Sequence, residues 1–461
     1  MTENKTIKRS LSFYVLIVLF LIRIALFCCL DVTICYDSYE YISRNGFSWL
    51  EGTVDRYRLP VYPMIIDIVQ ALFGEHFDFI LSYLQLLVSL VSFVVLYCTL
   101  NKLTDKKWIS TLITILYAVN NAVSGWDKTI LTESFSLSIT IFILWGIISF
   151  LKDNKICYAV IATIFLTIGC FMRAVFALYA GMFWGALILI SIIQSLKEDK
   201  VAHDKSLRNN WIGAAISTIP ILLVLVYSFA FYNQYGAFTM SDSYLGQQLV
   251  VVINNGYYHD SSDSELVSIA DGIAYSYEET VAANPAIEDR LETIACRDTG
   301  IDYDLSIPAG DTLARWYIMD AYDRTRIVAF VEESLGDHRL ENWSRMLPCL
   351  YYAYSSTGYS SVSDSEFAKN IVLDDKLSFI KVSIFDTLVI SLIEITAFFV
   401  VLVKKKQLDW IRLGLGVFVL TTIMLSIIGT NDEYARTAIT AVPVAAVAIA
   451  GIIDRIVSIK K

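Results

Sequence analysis

The chain has 461 residues, of which 56% are hydrophobic and 18% charged, with a formal charge of -10. A soluble domain carries about a quarter charged residues, so this composition excludes a water-soluble enzyme, a disordered tract and a disulfide scaffold. The charge is unevenly placed: residues 233–378 hold 24 Asp/Glu against 9 Lys/Arg, while the rest of the chain is mildly basic. Such acidity argues against nucleic acid as a partner, because phosphate binding needs a basic face.

A membrane span takes roughly 20 apolar residues to cover about 30 Å of hydrocarbon. Ten segments qualify: 11–30, 79–100, 108–125, 129–151, 156–172, 174–196, 211–232, 379–403, 411–429 and 437–456. Cytoplasmic loops are enriched in Lys and Arg. With the N-terminus inside (Lys5, Lys8, Arg9), every loop on that side is basic: Lys102, Lys106 and Lys107; Lys152 and Lys155; Lys197, Lys200, Lys205 and Arg208; Lys404, Lys405, Lys406 and Arg412; Lys460 and Lys461. The acidic stretch then falls outside. The first segment lacks a small-x-small cleavage site and reads as a signal anchor. The expected fold is an all-α polytopic membrane protein with about ten transmembrane helices and a mainly helical extracytoplasmic insert. Its expected parts are a seven-span module over 1–232, the acidic domain over 233–378 and a three-span module over 379–461.

The first outer loop, 31–78, reads Cys35-Tyr36-Asp37-Ser38-Tyr39-Glu40-Tyr41 near its start. On a helix Asp37, Tyr41 and Arg44 share one face. A carboxylate there can serve as a general base on a hydroxyl, or Asp37 and Glu40 can form a capping box. Arg56-Tyr57-Arg58-Leu59-Pro60 follows, with Pro60 opening an interfacial helix over 61–73. Arg58 at a lipid–water boundary suits a lipid phosphate or snorkels to headgroups. At the outer start of the fourth segment, Trp126-Asp127-Lys128 leads to Glu133, more than a turn inside an apolar helix. An acid at that depth faces a cavity or a partner, or rests on the helix dipole.

The fifth-to-sixth turn carries Arg173, and Arg436 opens the tenth segment. All these residues fall on the outer side, and Arg23, about two turns below the outer end of the first segment, is a further candidate. Glu394 lies nearer the inner half of the eighth segment, where a buried polar contact is the only evident role. Apolar spacing over 311–346 predicts helices within the insert. Cys296 and Cys349 are both in the insert, but their spacing demands no bridge. The four histidines lack metal-ligand spacing.

Taken together, the Asp in the first outer loop, the Asp37-x-x-x-Tyr41 spacing, the Arg-x-Pro before an interfacial helix, the acid heading the fourth segment and an Arg near the last segment followed by Pro443 form a pattern. It resembles the GT-C membrane glycosyltransferases, particularly the branch with protein O-mannosyltransferases and the lipid A aminoarabinose transferase. The resemblance covers most of 11–232 and weakly 411–456. It implies a multi-pass cell-membrane transferase, its active site extracytoplasmic. A sugar would pass from a polyprenyl-phosphate donor to a glycan, lipid or protein acceptor, with membrane lipids around the chain. By position Asp37 is the implied catalytic carboxylate, Glu133 the second acid, and Tyr41, Arg58, Arg173 and Arg436 the substrate-binding residues. Where the aminoarabinose branch has an acidic metal ligand this chain has Arg58-Leu59-Pro60; a divalent cation is thus a possible cofactor without an evident ligand set. A donor of this kind is already activated, which agrees with the lack of any nucleotide fingerprint. Two other functions fit many spans with one large loop. A polysaccharide polymerase or ligase would place its arginines in the insert (Arg315, Arg324, Arg326), and a transporter would show an inverted repeat.

Overall fold

A computed structural model describes residues 3–196, 203–301, 303–354, 361–362, 382–405, 408–429 and 434–459, with the side chains of the first helix described from residue 14 onward. The basic positions Lys197, Lys200, Lys406, Lys460 and Lys461, the turn 431–433, and residues 355–360 and 363–378 of the insert lie outside these. So do the side chains of Lys5, Lys8, Arg9 and Lys405.

The fold is an all-α membrane bundle carrying a helical insert. The bundle is built from α1 (Glu3–Cys28), α3 (Val61–Phe73), α4 (Phe77–Leu103), α5 (Lys107–Ala118), α7 (Glu133–Asp153), α8 (Ile156–Cys170), α9 (Val175–Ser195) and α10 (His203–Tyr235). After the insert it continues through α18 (Ile384–Lys405), α19 (Trp410–Gly429) and α21 (Ala441–Ile459). Two short helices, α2 (Tyr36–Ile42) and α6 (Asn121–Ser124), lie in the loops, and a four-residue α20 (Tyr434–Thr437) precedes α21. Seven helical stretches are long and apolar enough to cross a membrane: Val61–Leu103, which joins α3 and α4, and Glu133–Asp153, Val175–Ser195, Lys205–Tyr235, Ile384–Lys404, Trp410–Ile427 and Ala438–Ser458. Three shorter apolar helices, Tyr14–Cys28, Lys107–Ala118 and Ile156–Cys170, occupy the other three segments of the sequence count.

The central helix is α7, buried around most of its circumference. Two of its small hydroxyls bond back one turn, Ser136 donating to the Thr132 carbonyl and Thr140 to the Ser136 carbonyl, both at 2.7 Å. Such residues let neighbouring backbones approach closely in lipid. At Gly146 a Cβ would lie 2.9 Å from the Ala162 backbone of α8, so only hydrogen fits. The helix expected over 61–73 is α3, and Gly74, with φ +57, turns the chain from it into α4.

The helix ends define two mouths. At one, Val61 N–H donates to the Phe171 carbonyl at 3.0 Å and Thr33 pairs with Thr129 in a parallel bridge. The insert sits on this mouth. Its helices are α11 (Ser243–Asn254), α12 (Ser264–Tyr275), α13 (Tyr277–Ala283), α14 (Ala286–Thr299), α15 (Gly310–Ala321), α16 (Arg324–Leu335) and α17 (Arg339–Met346). The first six share a core that includes Leu249, Leu266, Leu291, Trp316 and Phe330. A two-residue ladder joins Leu30–Asp31 to Ser361–Val362. None of the eight cysteines forms a disulfide, Cys296 and Cys349 included. At the other mouth Lys102 pairs with Asp153 at 2.5 Å and Lys106 with Asp454 at 3.5 Å.

Candidate active site

The loop 31–60 is shaped by local hydrogen bonds before any long-range contact. Cys35, not Asp37, precedes α2 as its N-cap, and its N–H donates to Ser38 Oγ at 3.0 Å. The capping box expected of Asp37 and Glu40 is therefore formed instead by the pair two residues earlier. That leaves both acids free to point elsewhere. Further on, Asp55 Oδ1 accepts the N–H groups of Tyr57 at 2.8 Å and Arg58 at 2.6 Å, a turn that fixes where Arg58 is presented.

Arg58 reaches back across the loop to α2. Its Nε donates to Glu40 Oε2 at 2.7 Å, one Nη to Asp37 Oδ1 at 3.0 Å and the other to the Tyr41 hydroxyl at 3.2 Å. Its guanidinium also lies over the Tyr41 ring, 4.5 Å from the centroid. The second oxygen of Asp37 accepts from Arg436 Nη1 at 2.5 Å, and Arg436 Nε donates to Glu133 Oε1 at 2.8 Å. Arg173 completes the chain with one longer contact to the same Glu133 oxygen, 3.4 Å. Thus all six residues singled out from sequence, Asp37, Tyr41, Arg58, Glu133, Arg173 and Arg436, meet in one network. They come from α2, the loop before α3, the start of α7, the turn after α8 and the approach to α21.

Glu133 is not a turn inside its helix, as its place in the apolar run predicts. Residues 125–128 form a 3-10 turn, so α7 begins at Glu133 itself. It is nevertheless 1% exposed and held by two arginines. The approach to it is pinned by Gln85 of α4, whose amide donates to the carbonyls of Asp127 at 3.1 Å and Thr129 at 3.0 Å. Tyr62 holds Gln85 in turn, donating to its oxygen at 3.0 Å. Gln85 is the participant sequence reasoning missed, and Glu40, read there only as a capping residue, binds Arg58 instead. Both contacts reach partners 18 or more residues away, which no local pattern announces.

Two other candidates belong elsewhere. Arg44 turns from the Asp37–Tyr41 face to bridge Asp55 and Asp298, each at 3.1 Å. Arg23 forms a separate buried pair with Asp127 at 2.7 Å. Glu394, at the other mouth, pairs with Arg455 at 3.2 Å.

The electrostatics follow from this geometry. Burial alone would raise the Asp37 carboxyl, but Arg436 and Arg58 outweigh it and hold Asp37 well below the usual carboxylate range. Burial likewise works against the Arg58 charge, and Glu40, Tyr41 and Asp37 overcome it. Three carboxylates and three guanidiniums balance within the cluster. Each oxygen of Asp37 already accepts a guanidinium N–H, so the donor set does not fit a divalent cation. Among the described residues no group of three or more His, Cys, Asp and Glu could hold one.

No protein-family model matches the sequence, and no curated protein matches it. Solved structures of three membrane proteins are similar in the course of the chain. One is the oligosaccharyltransferase AglB from Archaeoglobus fulgidus, in complex with an inhibitory peptide and a dolichol-phosphate (TM-score 0.45, 12% identity, 97% of this chain and 51% of that one). Another is ArnT from Cupriavidus metallidurans bound to undecaprenyl phosphate (0.30, 10%, 97% and 77%). The third is the S. cerevisiae protein O-mannosyltransferase complex Pmt1–Pmt2 bound to its sugar donor (0.38, 14%, 50% and 35%). All three are GT-C superfamily members. The chain spans about half the length of the oligosaccharyltransferase. The charge cluster stands on its own geometry.

Proposed function

We propose that the chain is a membrane glycosyltransferase that moves a sugar from a polyprenyl-phosphate-linked donor to a hydroxyl-bearing glycan, lipid or protein acceptor, on the extracytoplasmic side. The observation that carries this reading is the convergence of Asp37, Glu40 and Glu133 with Arg58, Arg173 and Arg436 where helix ends meet a water-facing insert. A lipid-linked donor has its phosphate at that level, its chain in the bilayer and its sugar toward water.

In the reaction the acceptor oxygen bonds to the anomeric carbon and its proton passes to Asp37. The bond from that carbon to the phosphate oxygen breaks, and the electron pair leaves with the polyprenyl phosphate. Alignment of the two substrates lowers the barrier, and guanidiniums hold the charge that grows on the leaving phosphate.

The ion pairs add a condition. With both oxygens bonded to arginines Asp37 is a weak base, since a depressed pKa lowers its drive to accept a proton. A donor phosphate competes with Asp37 for the same guanidiniums. As Arg436 or Arg58 turns to the phosphate, Asp37 loses a counter-charge and its proton affinity rises. The base therefore gains strength when the donor is in place. The test is donor consumption in native membranes with a defined polyprenyl-phosphate sugar: Asp37→Asn should abolish it while donor binding persists. Normal turnover by that variant would remove Asp37 from the mechanism.

A further inference from the structure

The end of the bundle away from the insert carries charged residues that the transfer reaction does not use. The buried Glu394 accepts from Arg455 Nη1 at 3.3 and 3.2 Å, one bond to each oxygen. Arg455 Nη2 lies 3.6 Å from Asp409, and Arg412 Nε lies 2.9 Å from the same carboxylate. Glu394 sits in the middle of α18, whereas Arg412 is in the first turn of α19 and Arg455 one turn before the end of α21. Ionisable groups on membrane helices face a partner or a cavity. Here the two arginines do both.

A groove of about 840 Å³ runs along α18 and α21 and takes in both Arg412 and Arg455. Its α18 wall is a stripe at three- and four-residue spacing, Val389, Ile393, Thr396 and Val400, one face of the helix. Ile452 and Ile456 of α21 also line it. Ile393, Val400 and Ile456 are exposed, so the groove opens sideways, on the lipid-facing flank of the bundle. From Val389 to Val400 the stripe rises about 17 Å, close to the roughly 15 Å of hydrocarbon in one leaflet. Lys404, also exposed, continues the stripe one turn further. Among the described residues the lining holds two guanidiniums and no carboxylate, since Glu394 and Asp409 reach the arginines from outside it. A guanidinium has five N–H donors, so one carboxylate does not exhaust it. An ordinary lipid-facing helix is apolar along its length and accepts any acyl chain. This groove instead ends in cations.

We propose that the groove binds an anionic phospholipid of the leaflet away from the insert, with an acyl chain along α18 and the phosphate on Arg412 and Arg455, beside Lys404. Basic pockets between membrane helices hold anionic headgroups, and an arginine fork can take two phosphate oxygens at once. The inference does not depend on the transferase reading. In the test the full chain in dodecyl maltoside is titrated with palmitoyl-oleoyl phosphatidylglycerol and with the matching zwitterionic phosphatidylcholine, and bound lipid is counted by native mass spectrometry. Charge-assisted contacts predict one site that binds phosphatidylglycerol about ten-fold tighter than phosphatidylcholine. Arg412→Gln should erase that preference and Arg412→Lys keep part of it. Ala397→Trp, on the groove wall, changes no charge and should remove the tight site by filling the groove. It touches no ion pair, so its result stands whether or not Arg412→Gln folds. Equal affinity of the parent for the two lipids overturns the proposal, and so does a preference that survives Arg412→Gln. A tight phosphatidylglycerol site that survives Ala397→Trp also overturns it, by placing the headgroup on surface cations outside the groove.

Discussion

Asp37 carries two ion pairs from different parts of the chain, and its protonation is coupled to stability. Its folded pKa is depressed below the ordinary value of about 3.9. The pairs therefore stabilise the fold above that value, and the contribution is lost as pH falls through the depressed one. The parent should melt higher than Asp37→Asn at pH 7, with the gap narrowing progressively below about pH 4. A gap independent of pH would show that the carboxylate charge is not the source. Glu133 is more deeply buried, and removing its charge takes the carboxylate from Arg173 and leaves Arg436 with Asp37 alone. Breaking a buried pair costs about 3–5 kcal/mol, so Glu133→Gln should lower stability to denaturant by that order, and more than Asp37→Asn does. The types and side of these residues were legible in the sequence, because acids and arginines at the ends of apolar runs are conspicuous. Their partners were not, since Arg436 lies 399 residues from Asp37.

At the scale of elements, the loop bearing Asp37 and Arg58 is seated on α3 through Gly46. Its N–H donates to Asp67 at 2.7 Å, and a Cβ there would lie 2.1 Å from the Met64 backbone nitrogen. Backbone of a packed helix cannot give way as a flexible side chain would, so Gly46→Ala should lift the loop from α3. The expected result is a loss of both melting temperature and donor consumption; unchanged values would show the loop is not held there. Helix positions were read well from hydropathy, whose signal is long and periodic. The start of α7 was misplaced because Ile130 and Leu131 continue its apolar run, yet Thr129 and Ile130 are paired with Thr33, a tertiary pairing that no local propensity announces. Asp37 and Glu40 had capping-box spacing, but Cys35 and Ser38 fill that role.

At the scale of the whole molecule, the insert is fastened to the loop bearing Asp37 and Arg58 by a buried carboxylate. Asp242 accepts from Arg56 and Arg324, each at 2.8 Å, and Arg56 also donates to the Met319 carbonyl at 2.7 Å. Asp242→Asn should loosen insert and loop together, raising hydrogen exchange in α11 and α16 and in residues 53–60; exchange confined to the insert would contradict that coupling. Lys102 and Lys106 lie at the mouth opposite the acidic insert, and a reporter fused within 243–346 should read as extracytoplasmic. The most direct test of the donor site is the affinity of the full chain for a defined polyprenyl phosphate, measured for Lys and Ala variants at Arg58, Arg173 and Arg436. Charge-assisted bonds to a desolvated phosphate are worth about 1.5–3 kcal/mol each, and Lys cannot reproduce a fork that spans two acceptors. Lys at a contacting position should therefore weaken binding by about one to two powers of ten, with Ala weaker still. Parental affinity in all six variants would contradict the account.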